Sequence, residues 1–421
     1  MTDVDLDIAT LHGSLGDRAL SSMNFLNQIA SEYPDAISFA AGRPYEGFYD
    51  PEHLHHYLRL FRAHLEHDLG YDEREVTRTL FQYGRTKGII NDLVARQLAT
   101  DEQIIADPES IVVTVGCQEA LFLVLRALRA TADDVVLAPV PTYVGLTGAA
   151  RLADLPVHPV RTTGAGLDLD DLVAGLYALR AAGRRPRAIY VTPDFANPTG
   201  VSMTVADRHR LLDIADREDV LLLEDNAYGL LADDRLPTLK SLDRHARVVY
   251  LGSFAKTGLP GARVGFAIAD QKVTGGGIFA DELSKIKSML TVNTPPVAQA
   301  VIGGRLLAGG GSLVAANERE IAVYRANLRQ VLDGLARRFS GDVSWNTPTG
   351  GFFVTLTVPF RADDGMLAHS ARVHGVLWTP MHHFYGGTGG FHELRLSCSV
   401  LTHEAIEVGL DRLAKFFEEI S

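Results

Sequence analysis

The chain has 421 residues, of which 46% are hydrophobic and 22% charged, and its formal net charge at pH 7 is −12. A chain this acidic lacks the basic surface of nucleic-acid-binding proteins and is not attracted to anionic membranes. Its two cysteines, Cys117 and Cys398, exclude a disulfide framework and a cysteine-rich zinc site. No apolar run approaches the roughly 20 residues that span a bilayer. We therefore expect a cytoplasmic protein that binds neither nucleic acid nor membrane.

Short apolar runs alternate with helical patterns in the middle of the chain. Runs that are apolar throughout predict buried strands, and apolar residues at helical spacing predict amphipathic helices. We predict strands at residues 111–115, 135–138, 188–191, 220–223, 248–251 and 264–269, and helices at residues 119–130 and 205–217. Strands of this kind, separated by helices, indicate an α/β fold with a mostly parallel sheet flanked by helices on both faces.

The C-terminal part of the chain has a different pattern. Helices are predicted at residues 317–339 and 403–420, and strands at residues 351–358 and 393–399. A glycine-rich stretch at residues 307–312 precedes them and could be a loop between helices or a hinge between domains. We therefore predict a large domain at residues 46–308 and a smaller α+β domain at residues 309–421.

Polar residues follow the predicted strands at the positions where an open α/β sheet binds ligands, beyond the carboxyl ends of its strands. These residues are Gly116, Cys117, Gln118, Tyr143, Asn197, Asp225, Tyr228, Ser253, Lys256 and Arg263. Asn197, Asp225 and Lys256 are spaced by about 30 residues, which is one strand–helix unit per step. We therefore expect these three side chains to converge on one edge of one sheet.

Each of these features has a simpler interpretation when it is taken alone. Gly116 could mark an ordinary strand-to-helix turn, Tyr143 a packed aromatic, Asp225 a capping carboxylate and Lys256 a surface charge. In a functional site, the amides at a helix start can face an anion, and a buried carboxylate can pair with a cationic ring nitrogen. A lysine beside the sheet can act as an amine nucleophile or proton carrier. The convergence of all these features favours the functional interpretation.

From about residue 37 to its C-terminus, the chain resembles the fold-type I pyridoxal-phosphate enzymes, specifically the class I and II aminotransferases. The motifs are Tyr-Gly at 83–84, Gly-Cys-Gln at 116–118, Pro-Thr-Tyr at 141–143, Asn-Pro-Thr-Gly at 197–200, Asp-x-x-Tyr at 225–228, Ser-x-x-Lys-x-x-x-Pro-Gly-x-Arg at 253–263 and Arg-Leu-Ser at 395–397. The resemblance implies the large and small domains described above. It also implies an N-terminal arm at residues 1–45 that borders the active site.

The resemblance implies pyridoxal 5′-phosphate as the cofactor and assigns roles around it. Lys256 would bind the cofactor covalently and carry the substrate proton, while Asp225 would keep the ring nitrogen protonated. Asn197 and Tyr228 would hold the phenolic oxygen of the ring, and Tyr143 would stack on its face. The phosphate would be held by Gly116, Cys117, Gln118, Ser253 and Arg263.

The resemblance also implies how substrates and a second subunit are bound. Arg395 would form a bidentate pair with the substrate α-carboxylate, beside Asn197 and the backbone near Gly42. Tyr83 would reach the phosphate of the neighbouring subunit, so we expect a homodimer with shared active sites. The substrates would be an α-amino acid and a 2-oxo acid, which would react in turn by a ping-pong mechanism, and no metal is expected.

Two residues depart from the family pattern. Cys117 stands where members often carry alanine or serine, which introduces a thiol but leaves the backbone amide in place. Ala255 stands where many members carry serine, which removes one possible hydroxyl near the phosphate. Neither change touches the groups that make or break bonds.

The N-terminal segments 12–15, 23–26 and 33–44 resemble aminotransferases of non-proteinogenic amino-acid biosynthesis. These are the dihydroxyphenylglycine-forming enzymes of glycopeptide antibiotic pathways and the enzymes that act on guanidino amino acids. The candidates for the substrate pocket are Arg43, Tyr45, Phe48 and Tyr49. We expect at least two of these four to be surface or packing residues.

Three alternatives remain. The first is another fold-type I activity, such as a lyase, decarboxylase or oxidase, since these share cofactor and fold. The second is an aminotransferase-like transcription regulator, which is disfavoured because only about 36 residues precede the first family motif. The third is metal binding at His53, His55 and His56 or at His382 and His383, where exposed or loop histidines are the simpler interpretation.

Overall fold

The computed structural model describes residues 5–420. Its strands are β1 Ile37–Ser38, β2 Ile111–Thr114, β3 Asp134–Val140, β4 Val157–Thr163, β5 Gly166–Leu167, β6 Arg185–Val191, β7 Leu221–Asn226, β8 Val248–Ser253, β9 Gly265–Ile268, β10 Ser344–Trp345, β11 Phe353–Thr357, β12 Val376–Leu377, β13 Thr379–Pro380 and β14 Glu393–Ser397. Its α-helices are α1 Arg18–Glu32, α2 Glu52–Ala63, α3 Glu73–Phe81, α4 Asn91–Glu102, α5 Gly116–Leu128, α6 Val144–Leu152, α7 Leu169–Ala181, α8 Val205–Arg217, α9 Leu239–Leu242, α10 Phe279–Leu290, α11 Pro296–Ala308, α12 Leu313–Ala316, α13 Glu318–Arg338, α14 Asp364–His369 and α15 His403–Ile420.

An eight-stranded sheet forms the centre of the larger part of the molecule, with the strand order β2-β9-β8-β7-β6-β3-β4-β5. The five strands β4, β3, β6, β7 and β8 pair in parallel with their neighbours. Towards the edges, β9 pairs antiparallel with β8 and β2, and β5 pairs antiparallel with β4. The prediction of a mostly parallel sheet flanked by helices is therefore confirmed.

Helices bury both faces of this sheet, because successive side chains of a strand point to opposite faces. On β7, Leu222 joins the buried cluster that contains α7 and α8, whereas Leu223 joins the cluster that contains α5 and α6. Both leucines are fully buried. This double burial explains why the central strands are apolar throughout, and it leaves their carboxyl ends as the places where polar groups can meet.

The C-terminal part contains a four-stranded antiparallel sheet with the order β10-β11-β14-β13. α13 and α15 pack together against it and correspond to the helices predicted at residues 317–339 and 403–420. The N-terminal segment joins the same core, because β1 pairs in parallel with β12 and Phe39 is fully buried there. Among the described helices, none is long and apolar enough to cross a membrane.

A buried ion pair supports the loop that follows β6. Arg208 on α8 is fully buried, and its guanidinium binds both carboxylate oxygens of Asp194 at 2.5 and 3.1 Å. The same guanidinium donates to the carbonyl oxygens of Pro193, Met203 and Pro237 at 2.9–3.3 Å. The loop that carries Asn197 is therefore anchored at both ends by one side chain.

We expect Arg208→Ala to lower the free energy of unfolding by about 3–5 kcal/mol, because Asp194 would remain buried without its cationic partner. The matched control is Arg210→Ala on the same helix, whose ion pair with Asp170 is exposed and whose loss should cost less than about 1 kcal/mol. Urea unfolding followed by circular dichroism measures both variants. Equal losses in the two variants would contradict the role of Arg208.

Candidate functional site

A cavity of about 290 Å³ lies at the carboxyl ends of the central parallel strands. Eleven of the site residues predicted from the sequence line it, namely Gly42, Cys117, Gln118, Tyr143, Asn197, Asp225, Tyr228, Ser253, Lys256, Arg263 and Arg395. They come from separate strand ends, from the start of α5, from the N-terminal segment and from the small C-terminal sheet. The fold therefore brings these residues together.

Lys256 follows β8, and its ammonium donates a hydrogen bond to the carbonyl oxygen of Gly42 at 2.6 Å. Burial lowers the pKa of this lysine to about 8, and the positive charges of Arg395 and Arg263 act in the same direction. A lysine with such a pKa is largely a neutral amine in mildly basic solution, so it can act as a nucleophile or accept a proton.

Asp225 lies at the end of β7 and is buried. Burial raises the pKa of this carboxyl group, while a hydrogen bond from Tyr190, a contact with Cys117 and the charge of Lys256 lower it. The hydroxyl of Tyr190 lies 2.7 Å from Oδ2, and Sγ of Cys117 lies 3.7 Å from Oδ1. Asp225 is thus an acceptor for cationic groups at the floor of the cavity.

An anion-binding arrangement lies at the start of α5. Gly116 begins this helix with φ of +73°, and a Cβ at this position would overlap Nη2 of Arg263. A glycine is therefore required for the guanidinium to lie against the first turn of the helix. The free amides of that turn, together with the guanidinium of Arg263, make a site for a phosphate group.

Arg395 reaches the cavity from β14 of the small sheet. Its Nη1 donates to Oδ1 of Asn197 at 2.5 Å, and its Nη2 donates to Ala40 and Thr379 at 3.2 and 3.3 Å. The guanidinium lies between the rings of Phe353 and Phe384, 4.2 and 4.9 Å from their centroids. Its Nε is buried and has no hydrogen-bond partner, so a donor remains for an incoming carboxylate.

Two tyrosines form part of the wall. Tyr228 is buried and packs edge-on against Phe352 and Phe353, and burial raises the pKa of its phenol. The hydroxyl of Tyr143 lies 3.5 Å from Oε1 of Gln118, and burial raises the pKa of Tyr143 as well. Both phenols remain protonated at neutral pH, and the hydroxyl of Tyr143 donates to Gln118.

Several residues from the sequence analysis lie elsewhere. Of the four pocket candidates, only Arg43 lines the cavity, whereas Phe48 packs under Arg319 with 4.0 Å between guanidinium carbon and ring centroid. The side chain of Tyr83 is 84% exposed and does not line the cavity of its own chain. Gly116 lies beneath Arg263 rather than in the wall.

The histidines singled out from the sequence do not line the cavity either. Nε2 of His382 and Nε2 of His383 lie 3.1 and 2.8 Å from one carboxylate oxygen of Asp364. Within residues 5–420, this group is one of two whose ligand atoms lie close enough together for a metal, the other being His369, His374 and Glu419. The triplet of histidines at residues 53–56 belongs to neither group.

Tyr190, Phe353 and Phe384 also line the cavity, although no sequence motif identifies them as site residues. Tyr190 lies within a strand that was predicted as core. A tyrosine in an otherwise aliphatic buried strand needs a partner for its hydroxyl, and this signal could have identified it. The two phenylalanines carried no comparable signal, because phenylalanines are common in any core.

The sequence model of the family "Aminotransferase class I and II" matches residues 59–413. The chain belongs to this family. It is 62% identical to the (S)-3,5-dihydroxyphenylglycine transaminase of Amycolatopsis orientalis over 97% of this chain and 94% of that protein. It is 32% identical to the 2-aminoadipate transaminase of Thermus thermophilus over 81% of this chain and 83% of that protein. The chain is accordingly a transaminase.

Solved structures agree with this assignment. The kynurenine aminotransferase of Pyrococcus horikoshii, in complex with PMP, superposes with a TM-score of 0.82 at 27% identity, covering 97% of this chain and 96% of that one. The α-aminoadipate aminotransferase of Thermus thermophilus, complexed with N-(5′-phosphopyridoxyl)-L-leucine, superposes with a TM-score of 0.78 at 28% identity, covering 96% and 98%. Pyridoxal phosphate is therefore the cofactor of this enzyme.

The residues of the cavity fit this cofactor. Its phosphate could be held at the start of α5 beside Arg263, where Gly116 leaves room. Its aldehyde could react with the amine of Lys256, and its ring nitrogen could pair with Asp225. The formal charge of the whole chain is −12, yet Lys256, Arg263 and Arg395 make this cavity locally cationic. Such a cavity suits a ligand that carries phosphate and carboxylate groups.

We expect Gly116→Ala to raise the dissociation constant for pyridoxal phosphate by about tenfold or more. A Cβ would displace Arg263, and a φ of +73° is strained for alanine. The control is Gly148→Ala on the neighbouring helix α6, where a Cβ meets nothing within 4 Å and affinity should remain within about twofold. Quenching of protein fluorescence on cofactor addition measures both. Unchanged affinity in Gly116→Ala would contradict the phosphate site.

Proposed function

We propose that this enzyme transfers an amino group between an arylglycine, of the (S)-3,5-dihydroxyphenylglycine class, and a pair of 2-oxo and amino acids that serves as its partner substrate. The observation that carries this proposal is the 62% identity to a transaminase named for that amino acid, over 97% of the chain. The reaction would proceed in two halves, with one substrate leaving before the other binds. It would belong to the biosynthesis of a non-proteinogenic amino acid, as in antibiotic pathways.

When bound, pyridoxal phosphate supplies a protonated ring that stabilises negative charge at the substrate α-carbon. The chain's own part is to bind this ring and orient it. The phosphate would be held by the residues of the motifs, namely Gly116, Cys117, Gln118, Ser253 and Arg263. Asp225 keeps the ring nitrogen protonated, Asn197 and Tyr228 donate to the phenolic oxygen, and Tyr143 covers the ring face.

We propose that Lys256 transfers the α-proton of the substrate. Because its pKa is lowered to about 8, Nζ loses its proton in mildly basic solution and can then accept the α-proton. The hydrogen bond to the carbonyl oxygen of Gly42 holds Nζ inside the cavity. From this position the same nitrogen can return the proton to a neighbouring carbon, so one side chain serves as base and then as acid.

Arg395 is proposed to orient the substrate through its α-carboxylate. The guanidinium is held by Asn197, Ala40 and Thr379, and its unpartnered Nε leaves a donor for the carboxylate. The rings of Phe353 and Phe384 cover both faces of the guanidinium and exclude water from it. In such a dry site, the charge pairing of an arginine with a carboxylate is strengthened.

The remaining wall supports an aromatic substrate side chain. Met23 and Ala30 on α1 and Val144 at the start of α6 are apolar residues of the lining, and Arg43 is the charged one among the pocket candidates. A ring attached directly to the α-carbon needs a flat apolar surface close to the reacting atom. The small side chains beside Gly42 leave space for that ring.

The test is a single-turnover half-reaction with (S)-3,5-dihydroxyphenylglycine. The wild-type holoenzyme should lose its visible cofactor absorption and release the corresponding 2-oxo acid. Lys256→Ala should retain pyridoxal phosphate non-covalently but lose more than about 10³-fold in rate, because the proton carrier is missing. Release of CO₂ or consumption of O₂ without amino transfer would instead favour a different fold-type I activity.

We further propose that the enzyme is a homodimer with shared active sites. Tyr83 is largely exposed, as are the nearby Phe81 and, in the segment after α10, Val292. An apolar groove between Leu54 on α2 and Val297 on α11 adds to the uncovered surface. Exposed apolar surface of this extent is typical of a protein interface. In the dimer, Tyr83 of the partner subunit would donate to the cofactor phosphate.

Subunit mixing tests the shared site. Lys256→Ala and Tyr83→Ala homodimers should each be weakly active, and their hybrid should contain one fully intact site. After the two variants are dissociated and reassociated together, activity should exceed the sum of the separately treated parents. If the mixture never exceeds that sum although hybrids form, the sites are not shared.

A further inference from the structure

We propose that Tyr190 and Cys117 are positioning residues for Asp225. Their hydroxyl and thiol groups each contact a different carboxylate oxygen, which fixes the rotamer of Asp225 and keeps it ionised toward the ring nitrogen. This inference rests on the proposed role of Asp225. It adds a residue that no motif identified, Tyr190, and it gives a function to the side chain of Cys117 rather than only to its amide.

Tyr190 donates the stronger of the two hydrogen bonds. It lies on β6, next to β7, and its side chain is almost fully buried. Its hydroxyl lies 2.7 Å from Oδ2 of Asp225, and the hydroxyl of Thr192 donates to the Tyr190 oxygen at 3.4 Å. Because Thr192 uses a lone pair of that oxygen, the phenolic proton is directed toward Asp225.

Cys117 approaches the other carboxylate oxygen from the first turn of α5. Its Sγ lies 3.7 Å from Oδ1 of Asp225, within reach of a weak S–H hydrogen bond. Burial, followed by the charge of Asp225, raises the pKa of the Cys117 thiol. The sulfur therefore keeps its proton and can only donate toward the carboxylate. Alanine at this position would leave Oδ1 without that donor.

The carboxylate needs these donors because it is buried. Burial favours the neutral acid, and hydrogen bonds to the charged form oppose this effect. Hydrogen bonds from Tyr190 and Cys117 lower the pKa of Asp225, and the positive charge of Lys256 lowers it as well. A carboxylate has about four acceptor positions, and two of them are used here. The others remain for a cation in the cavity.

A second buried tyrosine provides a matched control. Tyr250 lies on β8 of the same sheet, is equally buried, and donates to Oε2 of Glu102 at 2.6 Å. Its hydroxyl is hydrogen-bonded to Asn226 and Glu102 rather than to Asp225, and Tyr250 does not line the cavity. Tyr250→Phe therefore removes one buried phenol from the sheet without changing the partners of Asp225.

The experiment compares the holoenzymes of wild type, Tyr190→Phe, Cys117→Ala, Cys117→Ser and Tyr250→Phe. The first readout is the pH midpoint of the visible absorption of the bound cofactor. Without its donors, Asp225 binds the ring proton more tightly and withdraws positive charge from the ring. The nitrogen that joins Lys256 to the cofactor then becomes more basic. We expect the midpoint to rise by about one unit in Tyr190→Phe and by less in Cys117→Ala.

The second readout compares the effect of each variant on kcat with its effect on KM. We expect kcat to fall by about tenfold in Tyr190→Phe and by about twofold to threefold in Cys117→Ala, while KM for the amino donor changes little. Cys117→Ser should shift the midpoint less than Cys117→Ala does, because a hydroxyl replaces the thiol as donor. Tyr250→Phe should keep the wild-type midpoint and kcat.

Three results would overturn the proposal. They are a wild-type midpoint in Tyr190→Phe, an equal shift in Tyr250→Phe, and a Cys117→Ser variant that behaves like Cys117→Ala. If Tyr190→Phe does not fold, the pair of Cys117 variants decides the question by the same midpoint. Failure of the wild type to transfer an amino group would instead refute the proposed function. The midpoints report on Asp225 whichever reaction the enzyme catalyses.

Discussion

The parallel pairing of β6, β7 and β8 is the constraint on which the rest of the site depends. Parallel strands end at the same edge of a sheet, so the chain segments that follow them must meet there. In this enzyme Asp225 lies at the end of β7, and the segments that follow β6 and β8 carry Asn197 and Lys256. Since helices cover both faces of the sheet, this edge is also where polar side chains can be shielded from water and still be accessible to a small molecule. A buried amine and a buried carboxylate are thereby held in one cavity.

The same burial that makes this site reactive has to be offset by specific contacts. Asp225 would favour its neutral form without the donors around it, and Arg395 is buried with only part of its hydrogen-bonding capacity used. The structure compensates with oriented partners: Tyr190 beside Asp225, and Asn197 with two stacked rings beside Arg395. The Nε of Arg395 is left without a hydrogen-bond partner.

Arg395 also links the four-stranded sheet to the loop that follows β6 of the eight-stranded sheet. It lies on β14, opposite Thr379 of β13, and reaches across to Asn197 in the loop after β6. The carbonyl of Ala40 in the N-terminal segment binds the same guanidinium. Three distant parts of the chain therefore meet at one charge. A substrate carboxylate that pairs with this guanidinium would therefore depend on the relative placement of all three parts.

The sequence by itself determined the central strands, the two C-terminal helices and most of the cavity. Apolar runs need two covered faces, and motifs after strands must meet at a parallel edge, so local pattern sufficed for the strands and for the residues that follow them. Gly42 and Arg395 followed only from the resemblance to the family. The sequence did not reveal α11, because this helix is apolar on nearly all sides and shows no helical periodicity. It did not reveal β4 either, because Pro159 and exposed residues obscure the alternation of apolar and polar residues that marks a strand. Only tertiary structure placed Tyr190 against Asp225, and Phe353 and Phe384 against Arg395. These contacts join residues far apart in the chain, and a single sequence carries no record of which distant side chains touch.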